Sequence, residues 1–126
     1  MIRNGLFGIY NSHEYEIAKD MYGNNYIITT DKRKIDNTFV DTYHTGIYRK
    51  KVILQNLRDV YFIKTTGFID NTEVEVLDEY EDMYCIRTLE NDLVERFELK
   101  PTDKGYERFI YKNYLSRVHE NKMRIF

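Results

Sequence analysis

Val60-Tyr61-Phe62-Ile63-Lys64-Thr65-Thr66-Gly67-Phe68-Ile69-Asp70 lies in the middle of the chain, and its reading decides the fold. It reads as the closing strand of one β unit running directly into the opening strand of a second, similar unit. A repeat carries this reading. At an offset of 59 residues Gly8 falls on Gly67, Glu14 on Glu73, Glu16 on Glu75, Ile27 on Ile86 and Thr29 on Thr88. Dropping one residue from the Asp31–Thr38 loop makes the offset 58. Phe39 then meets Phe97, Tyr48 meets Tyr106, Val52 meets Ile110, Leu57 meets Leu115 and Val60 meets Val118. The matches concentrate at glycine, aromatic and branched apolar positions, the residues that fix turns and cores. Two copies of one small β unit follow, over residues 1–65 and 66–126.

Composition agrees with strands. The chain has 126 residues, 12 Tyr, 7 Phe and 1 Pro. Ala18 is its single alanine. Tyr, Phe, Ile, Val and Thr suit half-buried pleated surfaces, whereas a helical protein would carry more Ala and Leu. Each half is near the lower size limit for an independent core, so the halves are expected to fold as one cooperative body. No apolar run approaches membrane-span length, and Met1–Gly5 lacks the apolar segment of a signal peptide. Cys85 is the only cysteine, so no internal disulfide forms. These features predict a soluble, cytoplasmic protein.

Outward from the central stretch, the first half predicts strands at Leu6–Tyr10, Glu14–Met21, Tyr26–Thr30, Thr38–Tyr43 and Gly46–Leu54. A 3₁₀ turn at Gln55–Asp59 precedes the closing strand. Asn11-Ser12-His13 and Gly23-Asn24-Asn25 are turns, since Asn and Gly tolerate positive φ. The second half predicts strands at Gly67–Asp70, Glu73–Glu79, Met83–Thr88, Leu93–Leu99 and Tyr106–Lys112. A short turn at Tyr114–Arg117 leads into Val118–Phe126. Short strands with tight turns at regular spacing and a 3₁₀ turn before the last strand resemble SH3-like small barrels. The resemblance implies an all-β chain of two such barrels in tandem, packed together; the alternative is one continuous bent antiparallel sheet. The ALYDY-type stretch and the Trp of signalling SH3 domains are missing, so proline-rich peptide binding is not implied.

The sequence carries no catalytic signature. His13, His44 and His119 are not at metal-ligand spacing, and no Cys-x-x-Cys, phosphate loop or nucleophile elbow occurs. Cys85 lies inside the apolar run Tyr84-Cys85-Ile86 and reads as a small buried residue. Glu14 with Glu16, and Glu73 with Glu75, share strand faces; their recurrence in both halves favours a structural role. No enzyme, no cofactor and no metal is expected.

Charge is the most informative remaining feature. The net charge of −2 divides as +3 over residues 1–65, −8 over 66–100 and +3 over 101–126. The acidic block peaks at Asp78-Glu79-Tyr80-Glu81-Asp82. A compact, acidic-patched, aromatic-rich β protein of this size is similar to small bacterial immunity proteins, which neutralise a toxin domain. That resemblance implies a non-catalytic protein-binding module with a basic protein partner. Asp78, Glu79, Tyr80, Glu81, Asp82 and Tyr84 are then the contact residues, the acids steering and the tyrosines anchoring. An alternative is single-strand nucleic-acid binding through Tyr48, Arg49, Lys50, Lys51 and the Lys32–Lys34 loop. A further alternative is a phage or bacterial structural accessory protein that oligomerises. The acidic pI near 5.9 opposes polyanion binding.

Overall fold

The computed structural model describes residues 1–126. Ten strands and one short helix make up the chain. In order they are β1 Gly5–Tyr10, β2 His13–Lys19, β3 Asn25–Thr29, β4 Tyr48–Val52 and β5 Asp59–Ile69. Then come β6 Thr72–Tyr80, β7 Met83–Thr88, α1 Asn91–Arg96, β8 Lys100–Thr102, β9 Gly105–Tyr111 and β10 Ser116–Arg124. The strands form one antiparallel sheet in the order β4-β3-β2-β1-β5-β6-β7-β9-β8, with β10 also paired to β5. Its two ends, β4 and β8, are not joined, so the sheet is open. The protein is thus nearly all-β.

The register repeats along with the sequence. Phe7 faces Glu16, Glu16 faces Ile28 and Ile28 faces Arg49. At the same offsets Thr66 faces Glu75, Glu75 faces Arg87 and Arg87 faces Glu107. A 3₁₀ turn precedes the last strand each time, at Leu54–Asn56 and at Lys112–Tyr114. The close approach at the paired glycines is copied too. A Cβ on Gly8 would lie 2.9 Å from Leu57, and one on Gly67 would lie 3.1 Å from Leu115, the equivalent leucine.

By internal contacts the chain divides into two compact units. The first comprises Gly5–Ile63 with Lys122–Phe126, the second Met1–Asn4 with Lys64–Asn121. The core of the first is Tyr15, Ile17, Ile27, Phe39, Leu57 and Val60. A smaller cluster of Phe7, Tyr61 and Ile63 forms on the opposite face of its strands. The core of the second is Ile69, Val74, Ile86, Leu93, Leu99 and Ile110. Alternation explains the β6 contribution. Val74 and Val76 turn inward while Glu73 and Glu75 turn outward, the period of two in a strand with one wet face.

Two expected strands are absent. Thr38–Tyr43 forms turns, and only Val40 bridges to Arg49. Local side-chain bonds compete with the ladder here: Asp36 accepts from Thr38 N at 2.8 Å, and Asp41 from Thr45 N at 3.0 Å and Gly46 N at 2.9 Å. Leu93–Leu99 is not a strand but begins within α1. Leu93, Val94 and Phe97 share one helical stripe, so three apolar side chains reach the core from a single turn. Pro101, which has no N–H to offer a central ladder, sits in the edge strand β8.

Along β5 the partner strand changes. Residues Asp59–Ile63 pair with β1 and Thr66–Ile69 with β6. Thr65 falls between, buried at 2 % exposure. Its N–H donates to Asn4 Oδ1 at 2.8 Å and its hydroxyl to Arg3 O at 2.6 Å, while Asn4 Nδ2 donates to Val76 O at 2.9 Å. One side chain therefore satisfies a donor and an acceptor that the ladder leaves over. Asn4→Ala is expected to lower stability by about 1–3 kcal/mol, because a buried N–H loses its acceptor. A urea midpoint equal to that of the unsubstituted chain would show that water replaces the amide fully.

Candidate functional site

The β6–β7 hairpin carries the acidic block. Pairing runs Val76 to Ile86, then shifts register to Asp78 opposite Cys85, leaving Leu77 as an extra residue. Such a bulge bends a strand and re-aims the side chains beyond it. Tyr80 pairs with Met83 at the tip, and Glu81 there has φ of 52°, a left-handed turn conformation.

The six expected contact residues separate into two groups. Glu79 and Tyr84 are half-buried and engaged. The Glu79 carboxylate accepts from the Lys112 ammonium and lies 3.3 Å from the N-terminal ammonium of Met1. The hydrogen bond from Lys112, with that from the N-terminus, holds the Glu79 carboxyl below the usual range. The same bond raises the Lys112 ammonium. The backbone N–H of Lys112 also donates to Asp82 O at 2.8 Å, and its ammonium sits 5.0 Å from the Tyr84 ring centre. Lys112 thus fastens the hairpin. Nothing local in the sequence marks it, since it lies 33 residues from Glu79. The second group, Asp78, Tyr80, Glu81 and Asp82, is exposed. Tyr80 is 64 % accessible, and the three acids make no ion pair. They form a solvated acidic rim around a projecting ring.

Thr66, Glu75 and Arg87 of the outward row line a cleft of about 450 Å³ in the second unit. Glu75 accepts from Arg87 Nε at 2.5 Å and Lys64 Nζ lies 2.9 Å away. These bonds, that from Arg87 foremost, lower the Glu75 carboxyl. Arg87 also reaches Glu107 at 3.6 Å. The cleft is internally neutralised. In the first unit the matching carboxylate neighbour, Glu14, accepts from the Tyr61 hydroxyl. Glu73 accepts from the Thr66 hydroxyl at 3.1 Å.

The basic residues of the first unit do not form one surface. Alternation along β4 sends Arg49 and Lys51 to one face and Tyr48 and Lys50 to the other. The Arg49 guanidinium lies 4.4 Å from the Tyr26 ring centre and 5.1 Å from that of Tyr43, and bonds Thr42 at 3.1 Å. Lys50 donates to Thr38 Oγ1 at 3.0 Å and lies 5.5 Å from the Tyr10 ring centre. In the Lys32–Lys34 turn, Arg33 pairs with Asp31 at 3.0 Å and holds that carboxyl down at about 2. Lys34 donates to Glu14 O at 3.3 Å. Lys51 remains exposed, with no ion pair.

No group of three or more His, Cys, Asp or Glu side chains is arranged around a common point that could hold a metal ion. Cys85 is half-buried, and burial pushes its thiol pKa up, away from thiolate reactivity. No helix is long and apolar enough to cross a membrane.

A family model described as "Uncharacterised conserved protein UCP033725" matches residues 2–125. The chain belongs to that family. The match spans both repeats. No curated protein and no solved structure matches the chain.

Proposed function

We propose that the chain is a non-catalytic binding module of two SH3-like units, acting in the cytoplasm, whose second unit docks a basic protein partner on the β6–β7 tip. The observation that carries this reading is the exposed Tyr80 ring, flanked by Asp78, Glu81 and Asp82 with no cation of the chain paired to them. Aromatic anchors inside a charged rim are a recurrent interface design: the ring supplies buried area and the rim speeds encounter. The lysine-fastened base of the hairpin supports it further, because a tip held rigid loses little entropy on docking. Neutralising a toxin domain, in the manner of a bacterial immunity protein, is the form of this activity that the charge and size fit best. The second unit's pairing order, with a 3₁₀ turn before its closing strand, supports the SH3-like assignment.

The test is capture of a partner by tagged protein, then association kinetics against Asp78→Asn, Glu81→Gln and Asp82→Asn combined, and against Tyr80→Ala. The triple variant is expected to slow association about tenfold at low salt and to flatten its salt dependence. Tyr80→Ala is expected to speed dissociation. Glu79 is left intact, since its carboxylate holds Lys112. Unchanged kinetics in both variants would remove this surface from the interface.

A further inference from the structure

The Tyr80 ring does not stand alone on its face of the second unit. Across the ladder Tyr80 faces Met83 and Met83 faces Tyr111; one row further in, Asp78 faces Cys85 and Cys85 faces Phe109. Residues directly opposite one another share a face of the sheet. The alternate rows carry Ile86 and Ile110 into the core, so these two rows turn outward. Tyr111 is left 54 % exposed and Phe109 38 %, with Met83 half-buried beside them. Met83, Phe109 and Tyr111 also line one cleft of about 320 Å³ at the end of β9, past Glu107, the last residue that β8 covers.

The charges around this apolar surface are one-sided. Asp78 stands in the second row, Glu81 and Asp82 form the turn beside the first, and none of the three pairs with a cation of the chain. The next row, Glu75–Arg87–Glu107–Lys100, holds two acids and two bases and is balanced. Arg108 alternates to the opposite face, where it donates to Phe97 O at 3.0 Å. Arg96, across the cleft, pairs with Asp70 at 2.8 Å.

The first unit shows what completes such a surface. Its matching rows are Glu16–Ile28–Arg49 and Ala18–Tyr26–Lys51. There the Arg49 guanidinium lies over the Tyr26 ring, and the Tyr26 hydroxyl donates to Asp20 at 3.2 Å. Ring, carboxylate and guanidinium all come from one unit. In the second unit Glu107 stands in the place of Arg49, and no cation of the chain lies over the rings of Tyr80, Phe109 or Tyr111. The rings and carboxylates are present without the guanidinium.

We propose, on the footing that the β6–β7 tip docks a basic protein, that the docking face continues across Met83 to Tyr111 and Phe109 and receives an arginine side chain of that partner. The guanidinium stacks on the Tyr80 and Tyr111 rings. Its N–H groups donate to Asp78, which lies two residues from Tyr80 on the same face, about 7 Å along the strand. A planar, weakly hydrated cation fits a surface of rings and carboxylates better than an ammonium does. A second copy of this chain does not fit, because its face carries the same unpaired acids.

The experiment is amide NMR of the ¹⁵N-labelled full chain, titrated with three capped pentapeptides in which glycine alternates with arginine, lysine or glutamate. The arginine peptide is expected to shift Asp78, Tyr80, Met83, Cys85, Phe109 and Tyr111 selectively, at about millimolar peptide. The lysine peptide is expected to bind about fivefold more weakly. Tyr111→Ser, at an exposed site, is expected to weaken the arginine peptide about fivefold, and Tyr111→Phe, which keeps the ring, to leave it unchanged. Equal binding of the lysine peptide would overturn the proposal. So would Tyr111→Ser binding like the unsubstituted chain, or no shift in this set from the arginine peptide. Dissociation of a captured partner separates this face from the tip. A partner released faster by Tyr80→Ala but not by Tyr111→Ser leaves the tip in place and removes its extension, and one indifferent to both variants removes both.

Discussion

Ile27→Ala is expected to cost about 2–5 kcal/mol of folding stability, and Ile86→Ala the same. Both isoleucines are fully buried, at 0 % exposure. They occupy matching places in β3 and β7, where Ile27 faces Ile17 and Ile86 faces Val76. Truncation removes transfer energy and leaves a cavity that close-packed neighbours fill only in part. A domain of this size has a total stability of about 5–15 kcal/mol, so either variant removes a large share of it. Because β5 contributes to both units, each variant is expected to lower one common unfolding midpoint rather than split the transition. Chemical denaturation followed by two probes, tyrosine fluorescence and far-ultraviolet circular dichroism, checks this. Two separated midpoints would show that the units unfold independently.

The second large effect is at the paired glycines. Gly8→Ala and Gly67→Ala are each expected to destabilise by about 1–3 kcal/mol, by overpacking. Backbone conformation is not the reason, since neither glycine has a positive φ. Space is. A Cβ on Gly8 would lie 2.9 Å from Leu57 Cδ1, 3.0 Å from Ile17 Cδ1 and 3.1 Å from the Asp59 carbonyl oxygen. On Gly67 it would lie 2.9 Å from Val118 Cγ2, 3.1 Å from Leu115 Cδ2 and 3.5 Å from Val76 Cγ2. Side-chain ends can rotate aside, whereas a ladder carbonyl cannot, so Gly8→Ala is expected to be the worse of the two. Urea midpoints measure both. A gain in stability at either position, of the size that reduced unfolded-state entropy gives, would show that the leucine yields without strain.

Much of the fold could be read from residue pattern. The two offsets, 59 and then 58, that superpose Gly8 on Gly67 and Leu57 on Leu115 also superpose the strand register and the close glycine–leucine approach. Glycine where backbone and side chain crowd, and aliphatic residues at period two, are local signals with one structural meaning. The helix Asn91–Arg96 was hidden because Leu93, Val94 and Phe97 fit a short strand as well as a helical stripe. Thr38–Tyr43 has strand-forming residues, but Asp36 and Asp41 spend the backbone N–H groups around it on turns. The acidic tip was visible as composition. Its division into a fastened pair, Glu79 and Tyr84, and an exposed set was not, because that depends on Lys112 and the amino terminus, both distant in sequence.

β5 has a consequence for how this family can vary by descent. A duplicated unit usually keeps a tolerant seam, where residues come and go as lineages diverge. Here the seam lies inside an eleven-residue strand, between the stretch paired to β1 and the stretch paired to β6. One inserted residue between Ile63 and Thr66 would turn Gly67 and Ile69 to the opposite face and carry the second core out of register. Each unit also holds a few residues from the far terminus, so neither copy can be shed without stripping the other. Family members are therefore expected to differ in length at hairpin tips and in the loop before β4, and to keep the number of residues between Ile63 and Thr66.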